Sequence, residues 1–340
     1  MSHPLSRRTV LSAVLVSALA PCAGRAQGKA VPGCSLPIGL PGAFPGDGFF
    51  VRHGYATENT WYNPGWLHTA EDWYALEGDT AGAEVYAIAD GAIVFAGSDY
   101  PGLVVIVRHA DDLYSMYGHL DEALAHREGS VRRGQLLGTM LARTDGRAPS
   151  HLHVEVRTFL TTSEVNGDSP RYGYACGYQC PPGPGYWPMD APEHPSSMGW
   201  RNPTHVTWSR MFGGEAPPAG AEVVVPAGAR QVAPLWSAPA DDAGAKQVGE
   251  LPLVPGDRLP LLAVVAGPED TRGESAEAYR LWCQVEAPDA GTGWVQAAVP
   301  STNDTMSDGR PASIRFDLLP AVAARGAESG RSRPLTTSRG

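Results

Sequence analysis

Between residues 84 and 158 the chain alternates short apolar runs with turn residues. Val85-Tyr86-Ala87-Ile88-Ala89 runs into Asp90-Gly91 and out through Ala92-Ile93-Val94-Phe95, the pattern of two strands joined by a hairpin. Leu103 to Val107 and Leu152-His153-Val154-Glu155-Val156 extend the strand pattern. Closely spaced short strands with this punctuation predict an antiparallel sheet or sandwich over a first domain at 62–212. A second set of short strands, Glu222 to Val225, Leu261 to Val265, Arg280 to Val285 and Gly293 to Val295, predicts another small β domain at 222–300. A Pro/Gly/Ala stretch at 213–221 reads as the linker between them. Residues 160–205 form an insertion rich in Pro, Gly, Tyr and Trp, long enough to be either a wall of a binding cleft or a poorly ordered loop. The flanks lack the pattern. Residues 27–61 read as irregular, with Phe49 and Phe50 as anchors, and the polar 301–340 segment reads as a flexible tail.

Composition agrees with a mainly β protein. Among 340 residues there are 40 Gly and 31 Pro, which would repeatedly break long helices and so exclude a bundle or coiled coil. Hydrophobic residues reach 43 %, too many for a disordered chain. A net charge of −10 argues against nucleic acid as a partner, because phosphate binding needs a basic stripe. Residues 1–26 read as an export signal: Arg7-Arg8, an apolar run from Val10 to Ala20, and a small-residue cleavage site after Ala26. Ser6 to Leu11 resembles a twin-arginine signal. The run is short of the roughly 20 residues that span a bilayer, and no other transmembrane segment is predicted. The expected location is therefore periplasmic or extracellular, with lipid anchoring at Cys22 the less favoured alternative because Pro21 precedes it. Cys176 and Cys180 are spaced to close a small disulfide ring, whereas Cys283 lies in an apolar strand and reads as a buried thiol.

The histidines carry the candidate chemistry. His151 and His153 are two apart in a strand-like run, so both imidazoles point to one face. His68 and Asp72 are four apart, on one side of a helical turn or a tight loop. His119 ends the aromatic segment Leu113 to Leu120. Singly, each has an ordinary structural reading. Together, two nitrogen donors and one carboxylate with a position left open are the composition of catalytic zinc, and two further histidines beside it serve as proton carriers. Glu155 shares the face of His151 and His153 and reads as a structural acid or an acceptor for a ligand imidazole. His53, His109, His126, His194 and His205 read as structural or surface, with His53 the one to watch because it closely precedes His68.

His68 to Asp72 is followed by Ala89-Asp90-Gly91, then Tyr117-Gly118-His119-Leu120, the glycine-spaced Gly129 to Gly138, and His151-Leu152-His153-Val154-Glu155. In this order the elements resemble the lysostaphin-like zinc endopeptidases that cut bacterial cell walls, the M23 class, over Trp66 to Arg157. The resemblance implies the antiparallel β fold of that class, with His68, Asp72 and His153 binding Zn2+ and His119 and His151 as the catalytic pair. Either of the two takes a proton from the attacking water while the other stabilises the oxyanion. The implied reaction is hydrolysis of a stem or cross-bridge peptide of peptidoglycan. The chain departs from the family at Ala70, where Gly is usual, and at Arg147-Ala148-Pro149-Ser150, which changes the edge of the cleft. Asn59 or Asn63 is a candidate to cover the metal in a latent form.

The second domain resembles a bacterial SH3-type barrel. Pro234-Leu235-Trp236-Ser237-Ala238-Pro239 matches the opening strand and loop, and Gly293-Trp294-Val295 a late strand, which implies either binding of wall peptide or glycan or a small packing domain without a ligand. An exported zinc endopeptidase of peptidoglycan is thus the expectation. Two rivals stand beside it: a catalytically silent wall-binding or hydrolase-activating protein on the same fold, and a zinc peptidase acting on non-wall peptides.

Overall fold

The computed structural model describes residues 33–320 apart from 44, 101, 122–128, 174–180, 241, 270–278 and 289. The export signal, Cys22, the Cys176–Cys180 pair, His126 and residues 321–340 lie outside the described residues. The predicted fold class holds: strands dominate, and every described pairing is antiparallel.

The largest sheet has eight strands. Its path runs Gly129–Val131, Gly91–Tyr100, Gly102–Arg108, Tyr114–Leu120, Leu152–Arg157, Glu71–Ala75, Phe49–His53, with Trp200–Arg201 paired to the end of Leu152–Arg157. The strand Leu152–Arg157 lies in its middle and is buried along its whole length. That is why its polar members, His153, Glu155 and Arg157, must find partners inside the protein. Two three-stranded sheets flank it. One joins Ile38–Gly39, Glu84–Tyr86 and Leu136–Thr139; the other joins Tyr186–Pro188, Asn63–His68 and Glu58–Asn59.

Several expectations are corrected. Asp90-Gly91 does not close a hairpin: Glu84–Tyr86 pairs in one sheet and Gly91–Tyr100 in another, so the dipeptide carries the chain between sheets. Glycine is needed there for closeness, since a Cβ at Gly91 would stand 2.4 Å from the Arg108 carbonyl oxygen. The 27–61 segment is not irregular throughout, because Phe49–His53 forms an edge strand of the main sheet in which Phe49 and Phe50 are both buried. The 160–205 insertion is ordered where described. Trp187 and Trp200 pack with Tyr55 and Val165 into a small core of their own.

The second sheet has seven strands, in the order Gln247–Pro252, Val232–Trp236, Gly291–Gln296, Leu281–Ala287, Arg258–Ala266, Glu222–Val224, Asp317–Leu319. Its last strand comes from the segment expected to be a flexible tail. Phe316, Leu318 and Leu319 are buried, and buried Arg310 forks onto Asp317 while bonding Asp308. Polar composition hid this because only a few apolar residues, Ile314, Phe316, Leu318 and Leu319, anchor the segment.

Residues 213–220 connect the two large sheets as an irregular, mostly exposed segment, while the sheets share one core. The described residues form one compact unit, and a continuous apolar cluster runs from Leu36 and Val154 through Val206 and Trp208 to Leu259 and Leu281. The helix Pro203–Arg210 bridges them, capped by Asn202, whose side chain accepts from the His205 amide. His205 tacks it to the second sheet through the Tyr279 hydroxyl at 2.6 Å and the Gly267 carbonyl at 3.0 Å. Cys34 and Cys283 are buried free thiols.

Candidate active site

His68 ends the strand Asn63–His68, and Asp72 lies in the strand Glu71–Ala75. The pair therefore sits at a corner between two strands and not on a helical turn. Buried Thr69 and Ala70 make the corner. Asp72 stands opposite His153 in the register of the main sheet, and Gly118, next to His119, stands opposite His153 on the other side. Sheet pairing thus brings residues far apart in the chain to one point.

His68 Nε2 lies 3.2 Å from His153 Nδ1 and 3.4 Å from Asp72 Oδ1, and His153 Nδ1 lies 3.2 Å from the same Asp72 oxygen. Four donors held tetrahedrally about 2.0–2.1 Å from one ion stand about 3.3 Å apart. The three atoms match three corners of that figure. Their proton arrangement suits a cation as well. His68 Nδ1 faces the Gly54 carbonyl at 3.4 Å, and His153 Nε2 faces Glu155 Oε1 at 3.4 Å. A carbonyl or carboxylate only accepts, so each ring donates outward; the inward nitrogen of His68 then carries a lone pair, and that of His153 does once a cation displaces the proton held by Asp72. The residues present fit a bound zinc ion.

Behind them, Glu155 is itself held. Trp200 Nε1 donates to its Oε2 at 3.0 Å, Arg157 at 3.2 Å, and Thr69 Oγ1 to its Oε1 at 3.3 Å. Arg157, fully buried, also donates to the carbonyls of Pro181 and Pro182. The insertion thereby reaches the metal position through Trp200 and the Pro181-Pro182 carbonyls. Its Tyr186 ring lies 5.3 Å from that of His68.

His119 and His151 lie beside this point, their rings meeting edge to face at 4.8 Å. His151 Nδ1 donates to the Pro149 carbonyl at 2.8 Å, and its Nε2 lies 3.9 Å from Asp72 Oδ1. The Tyr74 ring stacks on it at 5.0 Å. His119 adopts a left-handed backbone, φ 65°, which few residues other than glycine take and which concentrates at functional sites.

Burial and charge compete here. Burial pushes the His68 imidazole down to about 4 despite the attraction of Asp72, and it also lowers His151. Burial resists the charge on Asp72, but the ring of histidines, His68 and His151 foremost, holds its carboxyl well below the usual carboxylate range. For His153 burial is likewise outweighed, and the Asp72 and Glu155 carboxylates raise it to about 9. Glu155 lies low because Arg157 and His153 overcome its desolvation. The pocket is a fixed anionic centre faced by imidazole nitrogens.

All five candidate site residues therefore gather: His68, Asp72, His153, His119 and His151. Asn59 is engaged elsewhere, donating to the Tyr186 hydroxyl at 2.8 Å and accepting from the Trp61 and Tyr62 amides, so it caps a turn and does not cover the metal position. Buried Ser150, at the altered cleft edge, accepts from the Arg143 amide. His53 is closer to the site than its sequence position announced. Its ring stacks on His68 at 4.0 Å, and its Nδ1 lies 3.4 Å from Asp72 Oδ2. Candidate ligand atoms of His53, His68 and Asp72 all lie within 4.8 Å of one another. Sequence reasoning also missed Trp200 and Tyr186, for which no local signal exists.

A family model described as Peptidase family M23 matches residues 68–167. Murein hydrolase activator NlpD of Escherichia coli (strain K12) is 34% identical over 109 residues, which cover 29% of this chain and 28% of that protein. The chain thus spans less than a third of that relative's length. Lipoprotein NlpD of Yersinia enterocolitica is 35% identical over 78 residues, covering 22% of this chain and 78% of that protein. Among solved structures, the antimicrobial peptidase lysostaphin from Staphylococcus simulans aligns with 80% of this chain and 95% of its own, at 18% identity and a TM-score of 0.29.

Proposed function

The chain belongs to peptidase family M23 through residues 68–167, and from that membership we propose that it is a zinc-dependent endopeptidase acting on stem or cross-bridge peptides of bacterial peptidoglycan. The observation that carries the reading is the convergence of His68 Nε2, Asp72 Oδ1 and His153 Nδ1 at tetrahedral spacing. These three would hold the ion. Bound there, zinc supplies a Lewis acid that polarises a carbonyl and lowers the pKa of water from about 15.7 toward about 7.

The remaining work falls to the paired histidines. His151 has its Nδ1 proton committed to Pro149, so the Nε2 lone pair is the one turned toward the Asp72 side of the site. In this reading His151 takes the proton of the attacking water, and Tyr74 stacked on its face fixes the ring. His119, set by its left-handed backbone beside His151, stabilises the developing oxyanion. The second sheet, with Trp236 paired to Trp294, serves in the same reading as an SH3-like wall-binding module. Export is part of it too, supported by Arg7-Arg8 and by a relative named as a lipoprotein.

One observation favours a second reading. Relatives of similar identity are named murein hydrolase activators, and in this second reading the chain stimulates a separate murein hydrolase. The five filled positions weigh toward catalysis. Zinc content of the purified chain, measured together with release of soluble material from purified walls, separates the two. An endopeptidase holds about one zinc per chain and releases material alone, and a chelator stops it. An activator releases material only when a separate murein hydrolase is added.

A further inference from the structure

We propose that His53 is a positioning residue that keeps Asp72 a one-oxygen metal ligand; this rests on the metal reading above. Two independent features point there. The first is a bulge. The strand Phe49–His53 pairs with Glu71–Ala75 as Phe50 opposite Tyr74 and Val51 opposite Trp73, and the register then shifts so that His53 stands opposite Asp72. An unbroken ladder would put Arg52 there. Bulges beside sites re-aim a side chain, and a one-residue slip exchanges the faces of the strand. Here the extra residue sends Arg52 outward, its guanidinium over the Tyr74 ring at 5.4 Å and the Trp61 ring at 5.7 Å, and delivers His53 to the carboxylate.

The second feature is where His53 can and cannot act. Its ring is stacked on that of His68 at 4.0 Å, with planes within 7° of parallel. An imidazole binds a metal in its own ring plane. An ion in the plane of His68 would stand a full stacking distance, about 3.5 Å, out of the plane of His53. His53 is therefore no fourth ligand, although its nitrogen lies within the donor cluster. Its Nδ1 faces the Asp72 oxygen that His68 and His153 do not share: Oδ2 at 3.4 Å, against Oδ1 for the other two. The carboxylate only accepts, so Nδ1 carries the proton and donates. His53 Nε2 is buried with no hydrogen-bond partner among the described residues, so the ring has no other polar anchor. One carboxylate oxygen is thus occupied, and the other is left for the ion. A fourth corner stays open instead of being filled by a bidentate Asp72.

The test compares His53→Asn, whose amide nitrogen lies where Nδ1 does, with its shape match His53→Leu, in the full chain. Zinc affinity is read by chelator competition, and coordination by the visible spectrum of the cobalt(II)-substituted protein. The Leu variant should lose about 10–100-fold in zinc affinity, as expected for an outer hydrogen-bond partner. Its cobalt bands should weaken toward those of a higher coordination number. The Asn variant should keep wild-type bands and stay within about threefold in affinity. His53→Gln, with its amide displaced to where Nε2 stands, should behave like Leu and gives the same comparison should Leu fail to fold. Equal affinity and spectra in the Leu or Gln variant overturn the inference, as does an Asn variant that loses as much as they do. A wild-type chain that takes up no zinc overturns the metal reading itself, and this inference with it.

Discussion

At Asp72, desolvation opposes charge while the surrounding imidazoles favour it, and the imidazoles win. The result is a buried carboxylate kept ready for a cation, and each ligand position matters separately. His153→Ala removes a donor and should abolish zinc retention after gel filtration, a loss well beyond the 10–100-fold of an outer partner. His119→Ala touches none of the three donors. It should leave zinc bound and lower turnover by about 10²–10⁴-fold; unchanged turnover would remove it from the mechanism. Glu155→Gln keeps the shape but weakens the acceptor behind His153, and zinc affinity should fall about 10–100-fold in competition titrations. The five central residues were legible because their motifs follow one another in the order of a known family; spacing by itself placed only His151 and His153 on one face. His53 was not, since its place depends on a bulge that only pairing with Glu71–Ala75 defines.

Among the elements, the central strand and the bridging helix carry the most consequence. Leu152–Arg157 places imidazole, carboxylate and guanidinium on one buried face, and Glu155 and Arg157 are fully buried. Removing one partner of such a pair strands the other. Arg157→Ala should therefore destabilise by about 3–5 kcal/mol in denaturant titrations, far more than the loss of an exposed pair such as Arg108–Asp112. The helix responds to acid through His205. Burial lowers this imidazole from 6.5, so the unfolded chain binds its proton more readily than the folded one. Its stabilising contribution is whole above about pH 6.5 and declines as pH falls from there toward the lowered folded value. Wild type should lose more stability than His205→Gln between about pH 6.5 and pH 5, and equal losses would contradict this account of the helix contact. Most strands were readable from alternation. Asp90-Gly91 misled because the dipeptide signals a turn without saying whether the strands on either side pair with each other.

Across the whole molecule, one apolar cluster joins the two large sheets, and the 301–320 segment closes the second of them. A single cooperative transition is expected in calorimetry, not two. Truncation after Pro300, which removes Asp317–Leu319 and the Arg310 cluster, should lower its midpoint. Composition suggested a flexible tail from residue 301 because polar residues dominate that stretch. What decided otherwise was long-range pairing, such as Val223 with Leu318. The catalytic proposal comes down to which bond is broken. Purified cell walls digested with the zinc-loaded chain, with products identified by mass, answer that directly. The account predicts muropeptides cut within the stem or cross-bridge, each with a new free amine and carboxyl end, and none from the His119→Ala chain. Walls left uncut by a chain carrying its zinc would contradict it.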